Sequence, residues 1–292
     1  MAERNAKLIL MVGVLGVSAS AILVRFSQAP SGVTAAYRLG WTVLLLLPVV
    51  LLRCRAELRR LTARDLVLCG ASGVLLALHF LTWFESLKRT SVASSTVLVS
   101  TEVIFTALGF ALFLHGKIPR LGVWAILLAF GGSALLALSG GGGAGELSGN
   151  LLALAAASAA AVYTLIGRIQ RGHLSTTVYT FLTYLACFLT LLLGTAAAGT
   201  PLTGYGGREW LIGLALAVLC TLLGHSLFSW CLKYLSPSYV SAAKLCEPVF
   251  SSLAAIPLFG EVPGPLQLAG GAAVLGAVLL YTWAEREKTP AG

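Results

Sequence analysis

Residues 92–114 read VASSTVLVSTEVIFTALGFALFL, and residues 238–260 read SYVSAAKLCEPVFSSLAAIPLFG. A helix needs about 20 apolar residues to cross a hydrocarbon core, and each stretch is long enough. Each also carries a glutamate well inside it, Glu102 in the first and Glu247 in the second, 145 residues apart. An ionisable side chain at that depth costs about 2.5 kcal/mol or more, so neither glutamate faces lipid. Thr96, Glu102 and Thr106 fall roughly along one stripe of a helix, and Ser241, Glu247 and Ser251 repeat that stripe at the same shift. Two apolar segments with matching polar stripes face each other or a shared cavity.

The match extends outward. At a shift of 145, Leu87-Lys88 falls on Leu232-Lys233, Phe105 on Phe250, Leu108 on Leu253 and Gly131 on Gly276; at 143, Ile22-Leu23-Val24-Arg25 resembles Leu165-Ile166-Gly167-Arg168. Apolar blocks at 7–25, 32–52, 65–87, 92–114, 120–139, 149–168, 176–199, 209–232, 238–260 and 265–284 predict ten transmembrane helices. The glycine-rich run Ser139 to Gly145 reads as a flexible linker between two repeats of five helices, residues 1–143 and 146–292. An odd number of spans per repeat inverts the second copy relative to the first. Such a pair offers two nearly equivalent conformations and a site between the repeats near mid-bilayer. The expected fold is an all-α integral membrane protein of two inverted five-helix repeats.

Composition agrees. Of 292 residues, 58% are hydrophobic and 11% charged, against roughly 25% charged in soluble domains, which excludes an ordinary soluble enzyme. The excess of Lys and Arg lies in short gaps between apolar blocks, which excludes a nucleic-acid arm. Arg4, Lys7, Arg53, Arg55, Arg59, Arg60, Arg64, Lys117, Arg120, Arg168, Arg171, Lys233, Arg286 and Lys288 fall on one side; only Arg25, Lys88, Arg89 and Arg208 fall on the other. That bias places both termini in the cytoplasm. Trp124, Trp210 and Trp283 lie near span ends as interfacial anchors.

Arg25-Phe26, Ala29-Pro30, Tyr37-Arg38, Leu87-Lys88 with Ser91 to Ser95, Glu247-Pro248-Val249-Phe250 and Phe259-Gly260-Glu261 together resemble the ten-helix EamA-type permeases of the drug/metabolite transporter superfamily over nearly the whole chain. The first half departs from the second-half pattern, with Glu102-Val103 lacking a proline and Leu114-His115-Gly116 where a terminal Gly-Glu is common. The resemblance implies a bacterial inner-membrane transporter moving small polar metabolites, most plausibly amino acids or related compounds, outward.

Within that frame the candidate substrate-binding residues are Tyr37, Arg38, His79, Trp83, Glu102, Tyr163, Lys244 and Glu247. Arg38 has no charged counterpart in the second half and suits a substrate carboxylate; the alternative is a structural tie to Glu85. Lys244 and Glu247, spaced i,i+3, shape a polar floor or neutralise each other. Glu102 and Glu247 are candidates to carry a coupled proton, and uncoupled facilitation is equally compatible. Pro248 and Pro257 are expected to weaken the ninth helix, with Pro248 freeing the carbonyl of Lys244; any bend in the fourth must come from Gly109 or packing. Small residues Gly131, Ser133, Ala272 and Gly276 read as packing seams in the fifth and tenth helices, compatible with a monomer or a homodimer. Trp83 and Tyr163 also suit an importer of nucleobase-like or nucleoside-like metabolites. The distant alternative, an intramembrane enzyme, lacks any ligand-spaced His, Cys or carboxylate set or phosphate-cradling glycine loop. No metal or cofactor is expected, nor a nucleic-acid partner; the partners are a small-molecule substrate and the lipid bilayer. The cysteines read as small buried hydrophobes.

Overall fold

Polar caps start the helices where the apolar blocks begin. Thr62 and Asp65 exchange hydrogen bonds as a capping box at the start of Ala63–Arg89, and the hydroxyls of Ser91 and Ser175 cap Val92–Val99 and Thr176–Ala197. A computed structural model describes residues 2–113, 120–139, 144–235, 240, 243–244 and 246–286. Among these there is no strand. The helices are α1 (Ala2–Ser18), α2 (Ser20–Phe26), α3 (Ser31–Arg53), α4 (Arg55–Leu58), α5 (Ala63–Arg89), α6 (Val92–Val99), α7 (Glu102–Phe113), α8 (Arg120–Ser139), α9 (Ala144–Gln170), α10 (Thr176–Ala197) and α11 (Gly207–Ala215). A π-helical stretch (Leu216–His225) continues α11 into α12 (Ser226–Cys231), and α13 (Cys246–Phe259) and α14 (Pro265–Arg286) follow. Among the described residues seven helical segments are long and apolar enough to cross a membrane, and three shorter apolar helices, Arg120–Leu136, Glu247–Phe259 and Pro265–Tyr281, accompany them. The chain is a multi-pass membrane protein. Of the residues named above, Leu114, His115, Gly116, Lys117, Ser241, Lys288 and linker residues 140–143 lie outside the described part.

Helices close on one another where side chains are small. A Cβ on Gly73 would stand 2.5 Å from both the Ala186 Cβ and the Thr183 carbonyl, so α5 and α10 touch backbone to backbone there. On α1, a Cβ at Gly16 would meet the Leu219 carbonyl at 2.5 Å, which brings the π-helical stretch against α1. Buried hydroxyls tie the same bundle: Tyr179 to Ser72 at 2.8 Å and Tyr184 to Ser226 at 3.1 Å.

Two expectations about the helices change. The seam between α8 and α14 runs through Gly132 and Gly270, each of which would place a Cβ 2.9 Å from the other's carbonyl; Gly131 and Gly276 have open space beside them, and with Ala272 they lie on the exposed face. The small residues thus occupy two faces, and only one of them packs within the chain. The second change concerns the fourth span, which breaks without proline. Ser100 and Thr101 turn their hydroxyls back onto the carbonyls of Thr96 (2.9 Å) and Leu98 (2.6 Å), while the Ser100 N–H is shared between Thr96 and Val97. Such back-bonding competes with the helical ladder, so α6 ends at Val99 and α7 restarts at Glu102.

Gly73→Ala is expected to destabilise the detergent-solubilised protein by about 1–3 kcal/mol through overpacking. Gly70, on the same helix with nothing within 4 Å, is the internal control: Gly70→Ala should be neutral or stabilising by up to about 1 kcal/mol through helix propensity. Thermal unfolding of both variants checks this, and equal effects would refute the close-approach account.

A candidate binding cavity at the helix breaks

The two interrupted helices meet at one place. α7 begins with Glu102, and α13 carries Glu247 in its first turn. A carboxylate in the first turn of a helix lies at the positive end of the macrodipole, where negative charge is favoured. Pro248 also sits in that first turn, where a missing N–H costs little. The carbonyl of Lys244, expected to be freed by Pro248, instead accepts the Glu247 N–H at 2.8 Å. The shorter three-residue step supplies the partner that the proline removes. Pro257 lies inside α13, where it does interrupt the ladder.

Between these breaks lies a narrow cavity. Its polar wall comprises Ser20, Ser100, Glu102, Lys244 and Glu247, and its aromatic wall His79, Trp83, Tyr163, His225 and Phe228. Its free volume is about 40 Å³, and a water needs roughly 10–15 Å³ on that measure. The cavity as it stands therefore holds a few waters and must widen to admit a metabolite.

The charges in it are not paired as the spacing alone predicts. Lys244 reaches across the cavity to Glu102, with Nζ 3.1 and 2.9 Å from its two carboxylate oxygens, and does not pair with Glu247. The physical reason is the helix break: with Lys244 in a turn and Glu247 at the start of α13, the two no longer share a helical face. Thr164 Oγ1 donates to Glu102 Oε1 at 2.8 Å, and the Lys244 ammonium lies 5.2 Å from the centre of the Phe228 ring. Glu247 is buried, and its Oε1 has no hydrogen-bond partner among the described residues.

The aromatic wall is a ladder of rings. His79 and Trp83 are near-parallel, with centroids 5.8 Å apart, and His225 lies 6.3 Å from His79 and 6.4 Å from Tyr163. His79 Nδ1 is 3.0 Å from the Ala156 carbonyl. A carbonyl only accepts, so Nδ1 carries the proton and Nε2 is the acceptor. Tyr163 and Ser229 share a hydrogen bond at 3.3 Å, and the buried Trp83 Nε1 has no acceptor among the described residues.

Four helices, α5, α7, α9 and α13, and the turn at Lys244 thus bring together His79, Trp83, Glu102, Tyr163, Lys244 and Glu247. Arg38 sits just behind them. It is wholly buried, donates to Thr221 Oγ1 (2.7 Å) and Ser20 Oγ (3.2 Å), and stacks 4.1 Å over Phe80, with Nη2 unpartnered among the described residues. The alternative tie to Glu85 does not form, because Glu85 instead accepts from Ser31 and Arg89. Tyr37 lies elsewhere. Its hydroxyl donates to the Leu202 carbonyl and its ring stacks on Trp210 at 4.1 Å, in a separate apolar cleft. Sequence reasoning left out Thr164, Ser20 and Ser100. Thr164 stands one helical turn after Ala160 and beside Tyr163 in the chain, a polar residue within an apolar span, which was a usable signal; Ser20 and Ser100 carried none. Among the described residues no group of three or more His, Cys, Asp or Glu is placed to hold a metal ion.

Comparison with known proteins places this geometry in context. The profile of the EamA-like transporter family matches residues 5–138 and again residues 147–283. A pseudopaline exporter of Pseudomonas aeruginosa (strain UCBPP-PA14) is 24% identical over 207 residues, covering 71% of this chain and 72% of its own. A probable terminal-alkyne amino-acid exporter of Streptantibioticus cattleyicolor is 28% identical over 233 residues, covering 76% of this chain and 75% of its own. One crystal structure shares the fold with a TM-score of 0.67 over 98% of this chain and 99% of that one, at 20% identity.

Removing one partner of a buried ion pair strands the other and costs about 3–5 kcal/mol, whereas replacing both is often nearly neutral. Lys244→Met is expected to lose stability on that scale, and Lys244→Met with Glu102→Gln to recover most of it. Unfolding midpoints of the single and double variants test this; a double variant no better than the single would show that the two side chains do not act as a pair.

Proposed function

Because the chain belongs to the EamA-like transporter family, we propose that it is a secondary transporter with ten transmembrane helices arranged as two inverted five-helix repeats, residues 1–143 and 146–292. It moves small polar metabolites, amino acids or related compounds, outward across a bacterial inner membrane with both termini in the cytoplasm. It is a transporter and not an enzyme.

The repeat reading is supported by contacts that recur at the sequence shift. Arg25 Nη1 donates to the Leu87 carbonyl, and Arg168 Nη1 to the Leu232 carbonyl. Glu209, in the first turn of α11, accepts from Ser27 Oγ and the Gln28 N–H; Asp65, in the first turn of α5, accepts from Gln170 and meets His173 Nε2 at 2.7 Å. Each pair lies at opposite ends of the proposed ten-helix bundle.

The observation that carries the substrate class is the set of uncommitted groups at the cavity. Lys244 and Glu102 satisfy each other, whereas among the described residues Glu247 Oε1 is a buried acceptor without a partner, and Trp83 Nε1 and, behind Ser20, Arg38 Nη2 are buried donors without one. A buried polar atom without a partner costs roughly 1–3 kcal/mol, and a ligand that satisfies it recovers that cost. An ammonium suits Glu247, and a carboxylate suits the two donors. A free amino acid carries both, and one relative is named for amino-acid export. Widening of the cavity by movement at the breaks between α6 and α7 and before α13 would admit it from one face and then release it to the other.

Thermal shift of the purified protein against amino acids, nucleobases, nucleosides and cationic drugs tests the class. A ligand at a hundred times its dissociation constant stabilises by about 2.7 kcal/mol, and amino acids are expected to do so in the wild type but not in Glu247→Gln or Arg38→Ala. Stabilisation by bases alone, stacked on the His79–Trp83 ladder, would replace the assignment with nucleobase transport. If Glu247 carries a coupled proton, Glu247→Gln removes the pH dependence of transport; transport equally pH-dependent in wild type and variant would exclude that role.

A further inference from the structure

Two ties recur at both ends of the bundle, and a third does not. On the inverted-repeat reading proposed above, on which this inference rests, Arg25 and Arg168 correspond, as do Glu209 and Asp65. Each arginine caps carbonyls at the C-terminal end of the third helix of its own repeat, a favourable position for a cation. At the Arg25 end there is one more group. Glu261, just beyond α13, pairs through Oε1 with Arg25 and accepts the Val92 N–H through Oε2 at 2.8 Å. It therefore fastens the second repeat to two elements of the first: the end of α2 and the start of α6. Phe259 seats the joint, 5.2 Å from the Phe26 ring and 5.6 Å beneath the Arg25 guanidinium.

The mirror of this joint is missing from the covalent chain. The residue 145 before Glu261 is Gly116, which has no side chain, and the residue 145 after Val92 is Pro237, which has no N–H. Both partners of the corresponding contact are thus deleted together. Arg168 keeps its carbonyl partners, Leu232 and, at 3.5 Å, Leu235, and among the described residues it has no carboxylate counterpart to Glu261.

We propose that Glu261 is a one-sided latch. It holds the protein closed at the Arg25 face, and opening there, rather than at the Arg168 face, is the step that must break an inter-repeat ion pair. The two ends of an otherwise two-fold transporter are thereby made unequal, and the conformational equilibrium at rest is biased towards opening at the Arg168 face. Glu261 acts as a positioning residue. It lies outside the cavity and acts on the cavity's access.

The test uses the full-length protein in lipid vesicles with Ser100→Cys in the cavity wall. A membrane-impermeant maleimide is applied separately to each face, and labelling is read above the background of the unsubstituted protein. Glu261→Gln keeps the side-chain size and removes the charge. It is expected to raise labelling from the Arg25 face by up to about fivefold, the shift that a part-exposed ion pair supplies, and to lower it from the Arg168 face. That reciprocity is the discriminating signature, because a merely loosened structure labels faster from both faces. A second variant builds the missing joint: Gly116→Glu with Pro237→Val is expected to slow labelling from the Arg168 face. Labelling that Glu261→Gln leaves unchanged, or raises equally from both faces, overturns the latch even where transport and ligand binding persist. A cavity cysteine reached from neither face in any variant would instead remove the alternating-access reading, and the latch with it.

Discussion

A peptide group in hydrocarbon has no solvent to bond with, so every N–H and carbonyl in the membrane must find its partner within the protein. That constraint makes the molecule helical, and it also decides where helices can stop. The stops at Ser100–Thr101 and before Cys246 are tolerable because local groups take over the freed backbone: two hydroxyls at the first, and the Glu247 N–H on the Lys244 carbonyl at the second. Both stops lie in the protein interior, at the wall of the same cavity. The candidate site thus coincides with a region in which an interrupted backbone is tolerated.

Charge placement follows from the stops. Each new helix starts with a carboxylate in its first turn, so Glu102 and Glu247 are held at favourable helix termini. One cation, Lys244, serves this pair of carboxylates and chooses Glu102, where Thr164 adds a further donor. Glu247 keeps an oxygen for something else. On the proposed transport reading, the asymmetry between two sequence-matched glutamates gives the cavity its chemical preference.

Rigid contacts hold this arrangement while permitting it to move. Gly16 and Gly73 let helices approach backbone to backbone, whereas the ends of the bundle are tied by single hydrogen bonds and ion pairs that can break one at a time. Among the described residues two of those end ties recur, and the Glu261 joint does not.

The membrane-embedded helical character, the family and several residues of the cavity wall were legible in the chain, since the apolar blocks and the buried polar residues within them leave few alternatives once lipid is the solvent. His79, Trp83, Glu102, Tyr163, Lys244 and Glu247, singled out in the sequence by burial cost, spacing and the family resemblance, line one cavity. Pairing was not legible. Lys244 with Glu247, and Arg38 with Glu85, were reasonable from spacing and charge, but spacing assumes a continuous helix and a shared face. The break before Cys246 turned Lys244 towards Glu102, and Thr221 of the π-helical stretch, Ser20 and the Phe80 ring claimed Arg38. The placement of Tyr37 in a separate cleft with Trp210 was equally out of reach, because it depends on where α11 lands against α3. Hydrophobicity is a sum over residues and can be read in one dimension; a partner is a choice among neighbours, and neighbours exist only after the chain has packed.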